Sequence, residues 1–67
     1  MKLYWSRVES ACWQGYYSPD DDAVEYEIIR RMDCRYYATK WQGGKEIAVG
    51  RTLQEVQDAV QKYENGE

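Results

Sequence analysis

Near the end of the chain, Leu53, Val56, Ala59, Val60 and Tyr63 recur at helical spacing, while Gln54, Gln57, Asp58, Gln61 and Lys62 fill the opposite face. Thr52 stands at the N-cap and Glu55 three residues on, a capping-box spacing in which each side chain satisfies the other's orphan backbone N–H. Asp58 and Lys62 sit four apart, where opposite charges support a helix. Asn65-Gly66 is a stop signal. The pattern predicts a capped amphipathic helix over 52–64.

Ahead of it the period changes. Val24 to Met32 alternates in part and is rich in β-branched and aromatic residues, Arg35 to Trp41 does likewise, and Lys45 to Val49 is a short third run. These predict an antiparallel meander over 24–49. Gln42-Gly43-Gly44-Lys45 suits a tight hairpin because both glycines accept positive φ; Asp33-Cys34 is a weaker turn signal, which leaves a longer loop there open. Two-residue turns at both points put Ile29, Tyr36, Ala38, Ile47 and Val49 on one face, a set small enough to receive the helix. The other face then collects Tyr26, Ile28, Arg30, Tyr37, Thr39 and Trp41. A slip of one residue exchanges the faces.

Residues 1–22 form an aromatic and acidic segment with less periodicity. Lys2 to Val8 reads as a further strand, Ala11 to Tyr17 is aromatic with Gly15 as a break, and Ser18-Pro19-Asp20-Asp21-Asp22 either starts a short helix or forms an acidic turn. Tyr4, Trp5, Trp13, Tyr16 and Tyr17 need somewhere to pack, and the simplest place is over the second face of the sheet. The expected fold is therefore α+β: one domain over 1–67, with a meander of three strands, or four if Lys2 to Val8 joins, and one C-terminal helix packed on one face.

Composition sharpens this picture. With 67 residues the core is small, and idealised packing or a partner usually helps to stabilise it. Seven Tyr, three Trp and no Phe mean that most large side chains carry a polar group needing a partner when buried, and these are types enriched at protein interfaces. The net charge of −3 conceals a segregation: residues 1–29 hold two basic and six acidic groups, residues 30–51 six basic and two acidic, and residues 52–67 one basic and four acidic. That balance weighs against a polyanion partner for the whole molecule but leaves a local basic face.

Catalytic chemistry has few ingredients here. Without histidine there is no Ser-His, Cys-His or His-metal site, and no glycine-rich phosphate loop is present, so an enzyme is not expected and no cofactor or metal is implied. Asp20, Asp21 and Asp22 do not match a calcium loop and read as a solvated turn. Cys12 and Cys34 lack metal-ligand spacing; one disulfide between them stays open, although the N-terminus has no apolar stretch of a signal peptide, which points to reduced thiols in a cytoplasmic protein. Arg30, Arg31, Arg35, Lys40, Lys45 and Arg51, interleaved with Tyr36, Tyr37 and Trp41, are the ingredients of a sheet that stacks bases and tracks phosphates. Glu25, Glu27, Glu46 and the acidic helix oppose that reading by neutralising these cations within the fold.

Tyr36-Tyr37-Ala38, followed by a short strand and then Gly50-Arg51-Thr52-Leu53-Gln54-Glu55 opening the last helix with Ala59 on its inner face, resembles a recurrent type of small protein encoded by bacteriophages and other mobile elements. The resemblance covers about two thirds of the chain. It implies host-takeover or defence-evasion proteins, anti-CRISPR proteins among them, which bind a host protein and block it. The order of strands and helix is also similar to the double-stranded RNA-binding fold, whose basic cluster at the final helix is replaced here by Thr52, Leu53, Gln54 and Glu55.

The function expected from these features is inhibition of a host protein or ribonucleoprotein complex in the bacterial cytoplasm. Arg30, Arg35, Tyr36, Tyr37 and Trp41 are the candidate contacts, and Asp20, Asp21 and Asp22 a second, phosphate-mimicking patch. The alternatives are a nucleic-acid-binding module using residues 30–51, and a homodimer paired through aromatic surfaces or an edge strand. No apolar run reaches membrane-spanning length.

Overall fold

The computed structural model describes residues 2–41 and 44–66. Five antiparallel strands, β1 (Tyr4–Glu9), β2 (Cys12–Tyr16), β3 (Tyr26–Arg30), β4 (Tyr36–Lys40) and β5 (Glu46–Gly50), form one sheet in chain order, and α1 (Leu53–Glu64) follows. The fold is α+β as expected, with two more strands than the meander of 24–49. No helix among the described residues is long and apolar enough to cross a membrane.

The C-terminal helix forms where its pattern places it. The Thr52 side-chain oxygen accepts the Glu55 N–H at 3.1 Å, and at the other end the Asn65 N–H donates to the Gln61 carbonyl at 3.0 Å. Val56 and Val60 are fully buried, each contributing about 1.5–3 kcal/mol by leaving water. Asp58 accepts a hydrogen bond from Gln54 at 2.9 Å. The helix lies against β4 and β5.

The faces of the sheet depart from the expected assignment, and the cause is one residue of loop. The turn between β3 and β4 spans three residues, Met32, Asp33 and Cys34: the Arg31 N–H donates to the Arg35 carbonyl at 3.0 Å, the Cys34 N–H returns to the Arg31 carbonyl at 2.9 Å, and Cys34 takes φ 65°. The Asp33 carboxylate closes the loop, accepting from the Arg35 N–H at 2.9 Å and from the Tyr37 hydroxyl. Ile28 is thereby paired with Ala38 and Arg30 with Tyr36. Tyr26 and Ile28 turn under the helix, and Ile29 turns away from it.

A bulge makes the second correction. Ala38 pairs with Ala48 but Thr39 pairs with Glu46, so Ile47 is the extra residue and packs half-buried against the core. Val49 consequently stands opposite Tyr37 on the face away from the helix. The hairpin between these strands is longer than the expected two-residue turn, since the Lys40 N–H donates to the Lys45 carbonyl at 3.2 Å and the Gly44 N–H returns to the Lys40 carbonyl at 3.3 Å; Gly44 takes φ 66°, and Gln42 and Gly43 lie outside the described residues.

The N-terminal segment does not cover the second face. It extends the sheet as β1 and β2, because Trp13 pairs with Ile28 and Cys12 with Ile29. Gly15 is no break but a strand residue opposite Trp5, whose ring lies on it: a Cβ at Gly15 would meet the ring at 2.9 Å. Trp5, Trp13, Tyr17 and Tyr36 pack around the buried cluster of Leu3, Tyr26, Ile28, Ala38, Val56 and Val60. Trp13 and Tyr36 meet at 5.6 Å between ring centroids.

The polar tips of this aromatic core have partners. The hydroxyls of Tyr26 and Tyr17 both donate to Glu64 Oε1, at 2.6 and 3.2 Å, tying the helix end to the sheet. Burial is the main cause pushing the Tyr26 hydroxyl well above its ordinary value, with Glu64 reinforcing it. The Leu3 N–H reaches Gln61 Oε1 at 2.9 Å and fixes the entry to β1. Among Ser18 to Asp22 the acidic turn is the form adopted, with the Asp21 N–H donating to the Ser18 carbonyl at 3.1 Å.

Candidate functional site

Strand alternation sends the remaining side chains to the face opposite the helix, and among the described residues no element lies over it. Its pairing register arranges them in rows. Cys12, Ile29, Tyr37 and Val49 stand side by side across four strands. Ser6, Gln14, Glu27, Thr39 and Glu46 form a polar row next to them. Beyond that, Tyr4 opposes Tyr16 at the β1 edge, and Trp41 opposes Glu25, its N–H donating to the Glu25 carbonyl at 3.1 Å.

The apolar row is open to solvent. Ile29 is 39% exposed and Val49 51%, against 0% for Ile28 on the covered face. Apolar side chains gathered this way, rimmed by polar ones, mark an interaction surface more often than isolated exposed residues do. Tyr37 is held rigidly within the row: its hydroxyl is taken by Asp33, and the Arg31 guanidinium lies 4.5 Å above its ring. The hydrogen bond raises the Tyr37 hydroxyl and is the first cause lowering the Asp33 carboxyl below the usual carboxylate range.

Charge divides this face along the strands. Arg31 and Arg35 flank the hairpin loop at one end, while Glu25, Glu27 and Glu46 lie toward the other. Glu27 also accepts from the Cys12 thiol at 3.5 Å. Burial first, and then the Glu27 carboxylate, push that thiol up to about 11, which leaves it protonated and unreactive at neutral pH. Cys34 is exposed in the β3–β4 loop, and both cysteines are free thiols.

The expected site residues separate. Tyr37 and Trp41 share the open face, and Arg35 lies at its hairpin end. Tyr36 is on the helix side, half-buried against Trp13, so it belongs to the core. Arg30, opposite Tyr36, is also on that side and directs its guanidinium to Cys34 Sγ at 3.7 Å. Asp20 and Asp21 are engaged within their turn, where the Asp20 N–H donates to Ser18 Oγ at 3.3 Å and the Asp21 carboxylate accepts from the Ala23 N–H at 2.9 Å. Asp22 is set apart from them and lines a cleft with Trp41.

That cleft and a second one flank the same indole. One, of about 510 Å³, is lined by Asp22, Ala23, Val24, Glu25 and Trp41; the other, of about 360 Å³, by Glu27, Thr39, Lys40, Trp41 and Gly44. Ile29, Val49, Glu25, Glu27 and Glu46 were not among the expected contacts. The signal for two of them is in the sequence: Glu25 and Glu27 alternate with Tyr26 and Ile28, which assigns the acids to water and the apolar pair to the core.

No family model, curated protein or solved structure matches the chain. Its chemistry is therefore read from this surface alone.

Proposed function

We propose that this chain is a phage-type inhibitor that binds a host protein or ribonucleoprotein complex in the bacterial cytoplasm and blocks a working surface, in the manner of anti-CRISPR proteins. The observation that supports the reading is the uncovered sheet face, with the row of Ile29, Tyr37 and Val49 beside Glu25, Glu27 and Glu46. Aromatic and aliphatic anchors supply affinity once desolvated, and the carboxylates steer approach toward a basic partner surface of the kind that holds nucleic acid. A binder of this type needs no catalytic group.

The division of the basic residues favours a protein partner over a nucleic acid. Arg30 and Lys40 alternate onto the helix side of the sheet, whereas Arg31 and Arg35 lie at the end of the open face, so the six cations of residues 30–51 do not form one stripe. The test is capture by the tagged chain from bacterial lysate, run in parallel with and without nuclease treatment. The reading expects a stoichiometric host protein whose nucleic-acid binding is lost on capture. Retention of nucleic acid at low salt, weakening steeply as salt rises, with no stoichiometric protein, overturns it in favour of a nucleic-acid module.

A further inference from the structure

We infer that the cleft between Trp41 and the segment entering β3 is a receptor for an arginine side chain of the partner. The inference deepens the binding reading just given and rests on it for the partner's being a protein. Three groups define the chemistry of the cleft. Trp41 is exposed and supplies an indole; Glu25 stands across from it just beyond the β3–β4 pairing, its carbonyl accepting the Trp41 N–H; Asp22 lines the same cleft from the preceding loop. Ala23 and Val24 complete an apolar wall.

An aromatic face bordered by two carboxylates suits a planar cation. A guanidinium stacks on an indole and still presents N–H groups at its edge to carboxylate oxygens, whereas an ammonium is more strongly hydrated and cannot form the paired, parallel hydrogen bonds. The cleft on the other side of Trp41 is chemically different, because its lining of Glu27, Thr39, Lys40 and Gly44 offers a single carboxylate. The paired carboxylates are therefore on the Asp22 and Glu25 side. At about 510 Å³ that cleft has room for a side chain entering from solvent.

The surrounding face agrees with this direction of charge. Glu25, Glu27 and Glu46 lie at the Trp41 end, away from Arg31 and Arg35 at the hairpin end. An approaching basic surface is thus oriented with its cations toward Trp41.

The experiment is a titration of the intact chain with a short arginine–glycine peptide and with its lysine counterpart, followed through the indole N–H signals of Trp5, Trp13 and Trp41. The arginine peptide should shift the Trp41 signal alone, and the lysine peptide should bind about two- to fivefold more weakly, the size of a stacking contribution at an exposed site. Glu25→Gln and Asp22→Asn should each weaken the arginine peptide by a similar factor, with unchanged Trp5 and Trp13 signals reporting an intact core. No movement of the Trp41 signal, equal binding of the two peptides, or indifference to both substitutions overturns the assignment. Those outcomes need no host partner, so they are separable from the lysate capture, which fails or succeeds on the whole face.

Discussion

Ile28 and Ile29 are neighbours in β3 with the same side chain, and the fold gives them opposite fates. Replacing each in turn by valine removes one methylene group and keeps a β-branched residue, so strand propensity is nearly constant. Ile28 has 0% exposure beneath the helix, where the lost methylene leaves a cavity, and the cost is about 1 kcal/mol. Ile29 is 39% exposed and water fills the space, so the cost there is about 0.3 kcal/mol or less. A chain of 67 residues has a total stability of about 3–10 kcal/mol, which makes valine a better probe than alanine, whose cost of about 3 kcal/mol at Ile28 reaches the lower end of that range.

Thermal unfolding followed by circular dichroism reads the difference directly. At this size 1 kcal/mol corresponds to about 4–8 °C in Tm. Ile28→Val should lower Tm by about that amount, and Ile29→Val by less than about 2 °C. A two-residue turn at Asp33-Cys34 would place Ile29 under the helix and reverse the order. Equal losses, or a larger loss for Ile29→Val, would refute the three-residue turn and with it the identity of the open face.

Other consequences follow from side-chain chemistry. Tyr26→Phe removes the 2.6 Å hydrogen bond to Glu64, which retains Tyr17, and should cost about 1.5 kcal/mol in urea unfolding at neutral pH. Because the folded Tyr26 hydroxyl holds its proton more tightly than the unfolded one, its contribution is complete below the unfolded value of 10 and is lost as pH rises beyond it; the phenylalanine variant should lose less stability between neutral and strongly alkaline pH than the parent. Iodoacetamide at mildly alkaline pH should modify exposed Cys34 first and Cys12 far more slowly, as peptide mass spectrometry would show; equal rates would contradict the raised value of about 11 at Cys12. Cys34→Gly should raise stability by about 0.5–1 kcal/mol in the same urea assay by relieving a left-handed backbone at φ 65°.

What was legible in the chain was local. Thr52 and Glu55, the apolar stripe through Val56 and Val60, and Asn65-Gly66 define the helix because each signal acts within a turn or two of backbone. The strands of 24–49 were legible for the same reason. The faces were not, because register depends on the number of residues in a loop, and a cysteine accepting positive φ in place of glycine or asparagine conceals the third turn residue at Cys34. The alternation of Glu25, Tyr26, Glu27 and Ile28 carried the correct answer independently of the turn. The N-terminal strands were obscured by Gly15, whose role depends on Trp5 reaching it across the sheet. Of the candidate contacts, Tyr37, Trp41 and Arg35 remained with the open face and Tyr36 with the helix side, while Arg30 moved to the helix side by the same one-residue shift.

The division of labour between the two faces is tested most directly by measuring the affinity of the captured host protein for two substituted chains. Val49→Glu alters a half-exposed residue in the open apolar row, and Arg30→Glu alters an exposed residue on the helix side. Val49→Glu should weaken the complex by about tenfold or more, because it buries an unpaired charge at the contact, while Arg30→Glu should stay within about threefold. Loss of binding with Arg30→Glu and retention with Val49→Glu would contradict the assignment of the partner to the open face.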